Sequence, residues 1–344
     1  MRLAVAMSGG VDSTIAALLL KDQGHEVIGL HMLLHPYAER GWEEAQRAAA
    51  ELGVPIYRVD LVKQFRELVV EPFIDEYTHG RTPSPCPLCN RLVKVELLLA
   101  AARSFGCRKL ATGHYARIES GPEGPMLLRG TDLAKDQSYF LFMLLREMLT
   151  RVVFPLGELT KSAVRNLAAQ RGITASDSSE SQELCFIPGD DYKSFLRSEG
   201  VVPTPGSIVN MAGEVLGEHR GITHFTVGQR RGIGICAPEP LYVIRIDSEA
   251  RQVVVGTRQE TLAPAVRLSR INVLRSRPIR PGELYHIKVR SNARAVPGAV
   301  VAATDTTLEL RFEEPQSGVA PGQAAVLYSG HRVTAGGWIE VLEH

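Results

Sequence analysis

The residues from Ala6 to Ser13 (AMSGGVDS) have the types and spacing of a phosphate-binding loop. They follow an apolar run that begins at Leu3 and is typical of a buried strand. They precede Thr14 to Lys21, whose alanine and leucine content predicts a helix. Gly9 and Gly10 allow a tight turn close to an anion, and the start of the helix supplies N–H groups with partial positive charge. An ordinary glycine turn would have the same composition, and the Gly-Lys-Ser/Thr of a Walker A loop is missing.

Asp12 and Ser13 stand at the end of this loop, where the helix would meet the phosphates. The Ser13 hydroxyl can donate a hydrogen bond to phosphate. A carboxylate beside an anion requires Mg²⁺ or an ordered hydrogen-bond network, so we expect Mg²⁺ as a cofactor together with the nucleotide. Helix N-capping is the simpler explanation for Asp12, and the two roles can coexist.

Cys86 and Cys89 form a C-x-x-C pair within RTPSPCPLCNR. The prolines of this segment predict a stiff loop that enters a helix near Asn90. We expect the helix dipole and nearby cations to lower the pKa of a thiol there. These cations are Arg81, Arg91 and Lys94. The spacing suits redox pairs, zinc sites and iron–sulfur sites, and two idle surface thiols remain the plain alternative.

Cys185 lies in SSESQELCFI, from Ser178 to Ile187. The polar residues upstream predict a flexible loop whose end is anchored by Phe186 and Ile187, and such a loop could carry a thiol to a substrate. A half-buried core thiol is the alternative. Cys107 and Cys236 are predicted to be core residues without chemistry.

Two groups of polar residues lie where the sequence predicts ligand binding. Gly113, His114 and Tyr115 end a predicted strand, where α/β proteins bind ligands, so His114 could contact a nucleotide or a base. The stretch from Lys135 to Tyr139 combines charge, amide and aromatic groups before an apolar helix. This composition suits contacts with bases and phosphates, with helix capping as the alternative.

The elements that must position these residues divide the chain. Residues 1–200 alternate strand-like and helical runs and predict a doubly wound parallel sheet with a ligand at the strand C-termini. A Pro- and Gly-rich stretch, Val201 to Asn210, marks a boundary, after which short β-branched runs predict two small all-β domains. We predict a catalytic domain at 1–200, a small β domain at 201–265 and a β-barrel at 266–344.

The composition limits the class of protein. The 344 residues have a net charge of +1, so a nucleic-acid partner would have to bind local basic patches. The five cysteines favour reduced thiols, catalysis or metal over structural disulfides. Without a signal segment or an apolar span, we expect a cytoplasmic protein without a membrane partner.

The motifs in combination resemble the MnmA-type tRNA 2-thiouridylases, which belong to the PP-loop ATP pyrophosphatases with an adenine nucleotide alpha hydrolase-like sheet. The motifs that carry the resemblance span nearly the whole chain and are, in order, SGGVDS, GRTPSPCPLCN, ATGHYAR, KDQSYFL, FPLGELTK, SQELCFI, HFTVGQRRGIGI and PGQAAVLY. The resemblance implies a tRNA-uridine 2-sulfurtransferase. ATP would adenylate the C2 oxygen of the wobble uridine, and sulfur would then replace that oxygen.

The resemblance assigns roles by position. Cys89 would be the nucleophile and Cys185 would carry the persulfide. The residues expected to bind ATP are Ala6, Met7, Ser8, Gly9, Gly10, Val11, Asp12, Ser13, Met32 and Gly113. Ser84, Pro85 and Cys86 would approach the target base, and the other expected tRNA contacts are His114, Lys135, Asp136, Gln137, Arg290, Ser291 and Gln323. The expected partners are tRNAs for Lys, Glu and Gln and a sulfur relay from a cysteine desulfurase.

In this reaction a persulfide on Cys185 attacks C2, and the Cys89 thiolate then breaks the S–S bond, which leaves a disulfide to be reduced. Many members of the family have aspartate at the position of Cys86. In this chain a third cysteine stands there beside the two catalytic ones. A [4Fe–4S] cluster on Cys86, Cys89 and Cys185 is therefore an alternative route for the sulfur.

Two other classes of protein share part of these features. Another PP-loop adenylating ligase, which forms amides, would explain SGGVDS but not two remote cysteine sites or a β-rich C-terminal half. A non-enzymatic RNA-binding module with a metal-held C-x-x-C would leave SGGVDS without a role.

Overall fold

The computed structural model describes residues 1–35, 39–174, 184–187, 189 and 191–340. The strands are, in chain order, β1 (Arg2–Ala6), β2 (Glu26–Leu33), β3 (Ile56–Asp60), β4 (Lys109–Ala111), β5 (Ala116–Gly121), β6 (Gly124–Arg129), β7 (Val152–Val153), β8 (Gly206–Val209), β9 (Val215–His219), β10 (Tyr242–Asp247), β11 (Gln252–Gly256), β12 (Leu262–Val273), β13 (Leu284–Lys288), β14 (Val296–Ala303), β15 (Leu308–Ser317), β16 (Ala324–Ser329) and β17 (Arg332–Ile339).

The helices fall mainly in the first two hundred residues. The α-helices are α1 (Val11–Asp22), α2 (Glu39–Leu52), α3 (Val62–Phe65), α4 (Glu71–Thr78), α5 (Pro85–Leu88), α6 (Leu98–Ser104), α7 (Arg146–Leu149), α8 (Lys161–Gln170) and α9 (Tyr192–Ser198). Arg66–Val70 and Cys89–Leu97 are π-helical, and short 3₁₀ segments span Ser138–Leu141, Ile222–His224 and Gln259–Thr261.

A parallel sheet with the strand order β3-β2-β1-β4-β7 forms the first layer. All neighbouring strands in it are parallel. β2 and β3 lie on one side of β1, whereas β4 and β7 lie on the other, so the winding reverses between β1 and β4. Open α/β sheets bind ligands in the crevice at such a reversal, beyond the carboxyl ends of the strands.

Apolar residues cover both faces of this sheet. Leu3 and Val5 pack with α1 on one face, whereas Ala4 and Ile28 join a second cluster on the other. Strands buried on both faces need near-continuous apolar sequences, and β1 (RLAVA) has one. The predicted doubly wound sheet is thus confirmed.

β4 is shorter than the sequence predicts. The strand expected over Lys109 to Ala116 ends at Ala111, and Ala116 already begins β5 in another sheet. Gly113 lies in between, where an added Cβ would come within 3.0 Å of the Asp12 carbonyl carbon. The chain leaves the parallel sheet at this point because it packs against the glycine loop instead of a neighbouring strand.

The rest of the chain is mostly β structure, as predicted. β10, β11, β8 and β9 form a mixed sheet in that order. β12, β15, β14, β13, β16 and β17 form an antiparallel sheet that closes into a barrel, because β12 also pairs with β17. The domain boundaries at 200 and 265 stay predictions, and the second lies inside β12.

The barrel and the α/β layer share a core. The β5–β6 hairpin extends the barrel sheet through the pairing of Leu128 with Arg332. Phe142 is fully buried against Trp338, with ring centroids 6.0 Å apart, and its ring occupies the space left by Gly336. The Asn272 amide donates to the Phe142 carbonyl at 2.7 Å. An apolar helix is predicted here, but the backbone forms short turns whose carbonyls bond to the barrel.

Phe142→Ala tests this shared core. The substitution leaves a cavity between the two layers, so we expect the free energy of unfolding to fall by about 3–5 kcal/mol. Chemical denaturation followed by circular dichroism measures the change. Leu133→Ala, at a side chain that is 60% exposed, is the control and should change stability by less than about 0.5 kcal/mol. Equal effects of the two variants would contradict a shared core.

Candidate active site

The loop from Ala6 to Ser13 connects β1 to α1 at the reversal point of the sheet. Gly9 has φ +89°, and a Cβ there would lie 2.7 Å from the Ala45 nitrogen of α2, so only glycine fits. Gly10 caps α1 without a side-chain hydrogen bond. The loop thus has the backbone form of an anion site at a helix N-terminus.

Hydroxyl groups hold the loop closed on itself. Ser13 Oγ donates to the Gly10 carbonyl at 3.0 Å and accepts from the Ser8 N–H at 3.2 Å. Thr14 Oγ1 also donates to the Gly10 carbonyl, at 3.0 Å. The bonds fix the position of Gly10 before any ligand is present.

Asp12 does not cap the helix. Lys161 Nζ donates to both of its carboxylate oxygens, at 2.7 and 2.8 Å, and the Tyr115 hydroxyl donates to Oδ1 at 2.7 Å. The alternative of simple N-capping is therefore wrong. The negative charge of Asp12 is neutralised by a lysine from a distant part of the chain.

The other expected nucleotide residues lie at the same edge of the sheet. Met32 is next to last in β2, and Gly113 follows β4 and touches the loop backbone at Asp12 and Ser13. The fold therefore brings Met32 and Gly113 beside the loop, although they are distant in sequence.

Cys86 and Cys89 lie in a helix and not, as predicted, in a stiff loop that enters a helix near Asn90. The helix already begins at Pro85. Proline is tolerated in a first turn because its missing N–H would be unpaired there anyway, so Pro85 and Pro87 are compatible with this start. Cys89 then opens the π-helical stretch Cys89–Leu97.

Cys185 is exposed, next to a buried anchor. Phe186 packs edge-on against Phe65 and Phe73, with centroids 5.6 and 5.3 Å apart, and Ile187 is fully buried. The predicted anchoring role of Phe186 and Ile187 is confirmed. The polar residues 178–183 of the same motif lie outside the described residues.

The charges of the three cysteines and of Lys94 interact. Burial raises the pKa of Cys89 to about 12, and it also raises the pKa of Cys86, while the charge of Lys94 acts in the opposite direction. Burial disfavours the charge of Lys94, but the thiolates of Cys89, Cys185 and Cys86 raise its pKa. The four groups thus form an electrostatic cluster, which we call the thiol cluster.

The expected lowering of the Cys86 and Cys89 thiol pKa is wrong. Desolvation outweighs the cations, and of those expected to help, Lys94 is the one whose charge acts on both thiols in the described structure. Arg81 forms its ion pair with Glu76, with Nε 2.7 Å from Oε2. Among the remaining cysteines, Cys107 is buried as expected, whereas Cys236 is exposed, which corrects its assignment to the core.

His114 connects the thiol cluster to the loop. It follows Gly113, its Nδ1 lies 2.7 Å from Thr112 Oγ1, and its ring packs edge-on against Phe154. Desolvation and the charge of Lys94 lower its pKa to about 3. The imidazole is therefore neutral at physiological pH.

Several residues expected to contact tRNA also hold the protein together. Asp136 Oδ1 accepts from the Gly130 and Ser138 N–H groups at 3.1 and 3.0 Å. Gln137 Oε1 accepts from the Tyr115 N–H at 2.9 Å. Lys135 is exposed beside them. Gln137 thus holds the segment that follows β4, and Asp136 holds the turn between β6 and Ser138.

In the barrel, Arg290 and Gln323 join different parts of the chain. Arg290 Nε donates to the Gly318 carbonyl at 2.7 Å, and its Nη2 donates to the Val227 carbonyl at 3.0 Å. Gln323 Nε2 donates to the Thr82 and Pro83 carbonyls, which precede Ser84. Ser291 and Ser84 are partly exposed. The tRNA contacts of these residues stay predictions.

The described residues do not offer a preformed metal site. Among them, no group of three or more His, Cys, Asp or Glu side chains is arranged to hold a metal ion. Both oxygens of Asp12 are engaged by Lys161 and Tyr115, so the carboxylate expected beside Mg²⁺ is occupied.

Lys161 was not expected at the site, Tyr115 was placed near it without a role of its own, and Lys94 was expected only as a cation that lowers the thiol pKa. Lys161 ends the motif FPLGELTK, and Tyr115 follows His114 in ATGHYAR, so both lay in motifs already noted. Their contact with Asp12 could not be predicted from distances along the sequence, because it depends on the order of the strands in the sheet. Lys94 follows Cys89 by five positions, which is the interval between hydrogen-bonded residues in a π-helix.

Comparison with known proteins agrees with this arrangement. Residues 1–189 match a family model described as a tRNA methyl transferase HUP domain, residues 193–257 the PRC-barrel domain of the same series, and residues 264–339 an aminomethyltransferase beta-barrel domain. The chain is 47% identical to the tRNA-specific 2-thiouridylase MnmA of Geobacter metallireducens over 98% of this chain and 96% of that protein. It is 46% identical to that of Syntrophotalea carbinolica over 97% of each.

The chain belongs to the tRNA-specific 2-thiouridylase family. The resemblance that the motifs indicated is thereby confirmed. A solved structure of the U34-tRNA thiolase NcsA from Methanococcus maripaludis also matches, at 17% identity and a TM-score of 0.37 over 58% of this 2-thiouridylase family member and 65% of that chain. In the described part of this family member, no helix is both long and apolar enough to cross a membrane.

His114 predicts a pH dependence of stability. Its pKa of about 3 in the folded state is below the value of about 6.5 in an unfolded chain. The unfolded state therefore takes up the proton first, and stability is lost as the pH falls from 6.5 towards 3. We expect the wild type to lose more thermal stability than His114→Gln between about pH 7 and about pH 5. Parallel losses would show that His114 does not contribute.

Proposed function

We propose that this protein is an ATP-dependent tRNA-uridine 2-sulfurtransferase that thiolates C2 of the wobble uridine. The family is one of tRNA-modifying enzymes, and its members here are similar over nearly the whole chain. One set of contacts supports the proposal for the site. Gly113 packs against the phosphate-type loop, the next residue, His114, is affected by the charge of Lys94, and Lys94 interacts in turn with cysteines from two remote segments.

The loop would activate the uridine. The backbone from Ala6 to Ser13 binds the phosphates of ATP, which brings Mg²⁺ with it, while Met32 and Gly113 line the adenosine. The C2 oxygen of uridine attacks the α-phosphorus, and the bond to the bridging oxygen breaks. Pyrophosphate leaves with the electron pair, and the adenylated oxygen becomes part of a good leaving group, AMP.

The cysteines would then transfer sulfur. The terminal sulfur of a Cys185 persulfide attacks C2 and AMP leaves. The Cys89 thiolate attacks the inner sulfur of Cys185, the S–S bond breaks, and its electron pair remains on the sulfur bound to C2. An external dithiol reduces the resulting Cys89–Cys185 disulfide. The exposure of Cys185 suits loading by a sulfur-relay protein, and the burial of Cys89 suits an internal nucleophile.

Lys94 would make the thiolates possible. A buried thiol resists ionisation, and Cys89 needs an opposite charge nearby to become a nucleophile. Lys94 supplies that charge to Cys89, Cys185 and Cys86. The neutral His114 adds no competing positive charge beside it.

A basic cleft supports tRNA as the partner. It adjoins the segment of Lys135 to Gln137 at the junction of β6 with the barrel, and the basic side chains that line it are Arg129, His286, Lys288, Arg294 and His331. Phosphate contacts from such side chains dominate affinity for nucleic acid. Ser84 to Cys86 would approach the target base. The tRNAs would be those for Lys, Glu and Gln, and the reaction would take place in the cytoplasm.

A [4Fe–4S] cluster on Cys86, Cys89 and Cys185 is the second route for the sulfur. The described cysteines are not arranged as a ligand group, so the residues as they stand do not fit a cluster and favour the persulfide. Iron and sulfide assays of enzyme purified without oxygen separate the two routes.

Cys89→Ser and Cys185→Ser are expected to abolish 2-thiouridine formation, because each removes a sulfur atom that takes part in the transfer. Mass spectrometry of tRNA nucleosides, from reactions with ATP and a sulfur donor, measures the product. Both variants should still release pyrophosphate, since adenylation precedes sulfur transfer.

Cys107→Ser and Cys236→Ser are the matched controls, and both should retain thiolation. A Cys86→Ser variant that loses activity together with iron would favour the cluster. Thiolation by Cys185→Ser at the wild-type rate would rule out Cys185 as the carrier.

Lys94→Met should slow thiolation by at least about tenfold without loss of ATP binding, because the thiolates lose a charge-assisted interaction of about 1.5–3 kcal/mol. The pH profile of Cys89 alkylation by iodoacetamide should shift to higher pH, since the cation that opposes burial is gone. Lys109→Met, on β4 and outside the cluster, is the control. An unchanged alkylation profile would exclude the role given to Lys94.

A further inference from the structure

Lys161 reaches the end of the loop that is proposed to bind phosphate. Its Nζ lies 2.7 and 2.8 Å from the two carboxylate oxygens of Asp12, in the first turn of α1. The side chains of Lys161 and Asp12 are 20% and 34% exposed, so the pair is partly withdrawn from water. The ammonium group of Lys161 therefore lies beside the first turn of α1, at the end of the loop from Ala6 to Ser13.

The fold holds Lys161 in this place from its backbone. Thr160 caps α8 through its hydroxyl, which accepts from the Ala163 N–H at 3.2 Å. The backbone N–H of Lys161 donates to Asp132 Oδ2 at 2.9 Å. Lys161 is thus anchored by backbone contacts, while its side chain remains able to exchange one anion for another.

Asp12 keeps a partner if Lys161 moves. The Tyr115 hydroxyl donates to Asp12 Oδ1 at 2.7 Å, independently of the lysine. A single carboxylate also competes poorly with the several negative charges of a triphosphate for one ammonium group. The ion pair therefore holds the Lys161 ammonium group beside the loop. If that group moves to a phosphate, Asp12 still accepts the hydrogen bond from Tyr115.

We infer that Lys161 is a further catalytic residue, whose ammonium group passes from Asp12 to the pyrophosphate that leaves ATP. This inference rests on the proposed adenylation. When the bond between the α-phosphorus and the bridging oxygen breaks, the electron pair stays on that oxygen, and Lys161 neutralises the new charge. No proton has to be transferred, because the ammonium group donates a hydrogen bond and keeps its protons.

A purely structural role makes a different prediction. If Lys161 only neutralises Asp12, its removal should do no harm once Asp12 is replaced by the uncharged Asn. If Lys161 binds pyrophosphate, its removal should weaken pyrophosphate binding in both backgrounds, and at least as much with Asn as with Asp at position 12. A double-mutant cycle of Lys161→Ala and Asp12→Asn separates the two roles.

The test measures displacement of a fluorescent ATP analogue from the full-length protein by inorganic pyrophosphate in magnesium buffer. We expect Lys161→Ala to weaken pyrophosphate binding by at least about tenfold in both backgrounds, and Lys161→Arg to retain most of it. Lys63→Ala, at an exposed lysine paired with Glu67, is the control and should bind as the wild type does.

Unchanged pyrophosphate binding by Lys161→Ala, or a loss that disappears in the Asp12→Asn background, would overturn the inference. Thermal unfolding shows whether each variant is folded, and Lys161→Gln replaces Lys161→Ala if the latter unfolds. Thiolation of tRNA by the wild type is measured in parallel. A wild type that makes no 2-thiouridine contradicts the proposed function, whereas an active wild type with an unaffected Lys161→Ala contradicts only the role of Lys161.

Discussion

The site depends on the parallel pairing of β1 with β4. These strands are more than a hundred residues apart in sequence, yet they are neighbours in the sheet, and the winding reverses between them. Their carboxyl ends therefore open into one crevice. Gly113 touches the backbone of Asp12 there, Tyr115 reaches its carboxylate, and the charge of Lys94 acts on His114. If this pairing were lost, the loop from Ala6 to Ser13 and the segment from Gly113 to Tyr115 would no longer be neighbours.

The two halves of the site solve one electrostatic problem in the same way. A carboxylate beside the glycine loop and a thiolate in an apolar interior are both costly without an opposite charge. A lysine supplies that charge in each case: Lys161 to Asp12 from α8, and Lys94 to Cys89 along its own π-helix. In the proposed reaction, Lys161 would act on the leaving pyrophosphate and Lys94 on the Cys89 thiolate.

The sequence was sufficient for features that local chemistry determines. The glycine loop, the strand–helix alternation and the β-rich second half follow from composition and periodicity, and all are present. The Asp12–Lys161 pair joins residues whose meeting depends on strand order, so no spacing could reveal it. The helical start at Pro85 was missed because proline breaks most helices but fits a first turn. The predicted lowering of the thiol pKa was wrong because the charged residues nearby in sequence do not reveal how deeply the thiols are buried.

The shared core of Phe142 and Trp338 affects how the chain can be made. The ribosome releases the parallel sheet and the β5–β6 hairpin long before β17, which pairs with β6 and carries Trp338, is synthesised. Until then the hairpin has an open edge and the Phe142 ring lacks its aromatic partner, which are the features that chaperones and aggregation both recognise. The core that Phe142 shares with Trp338 is therefore completed only after β17 has been synthesised.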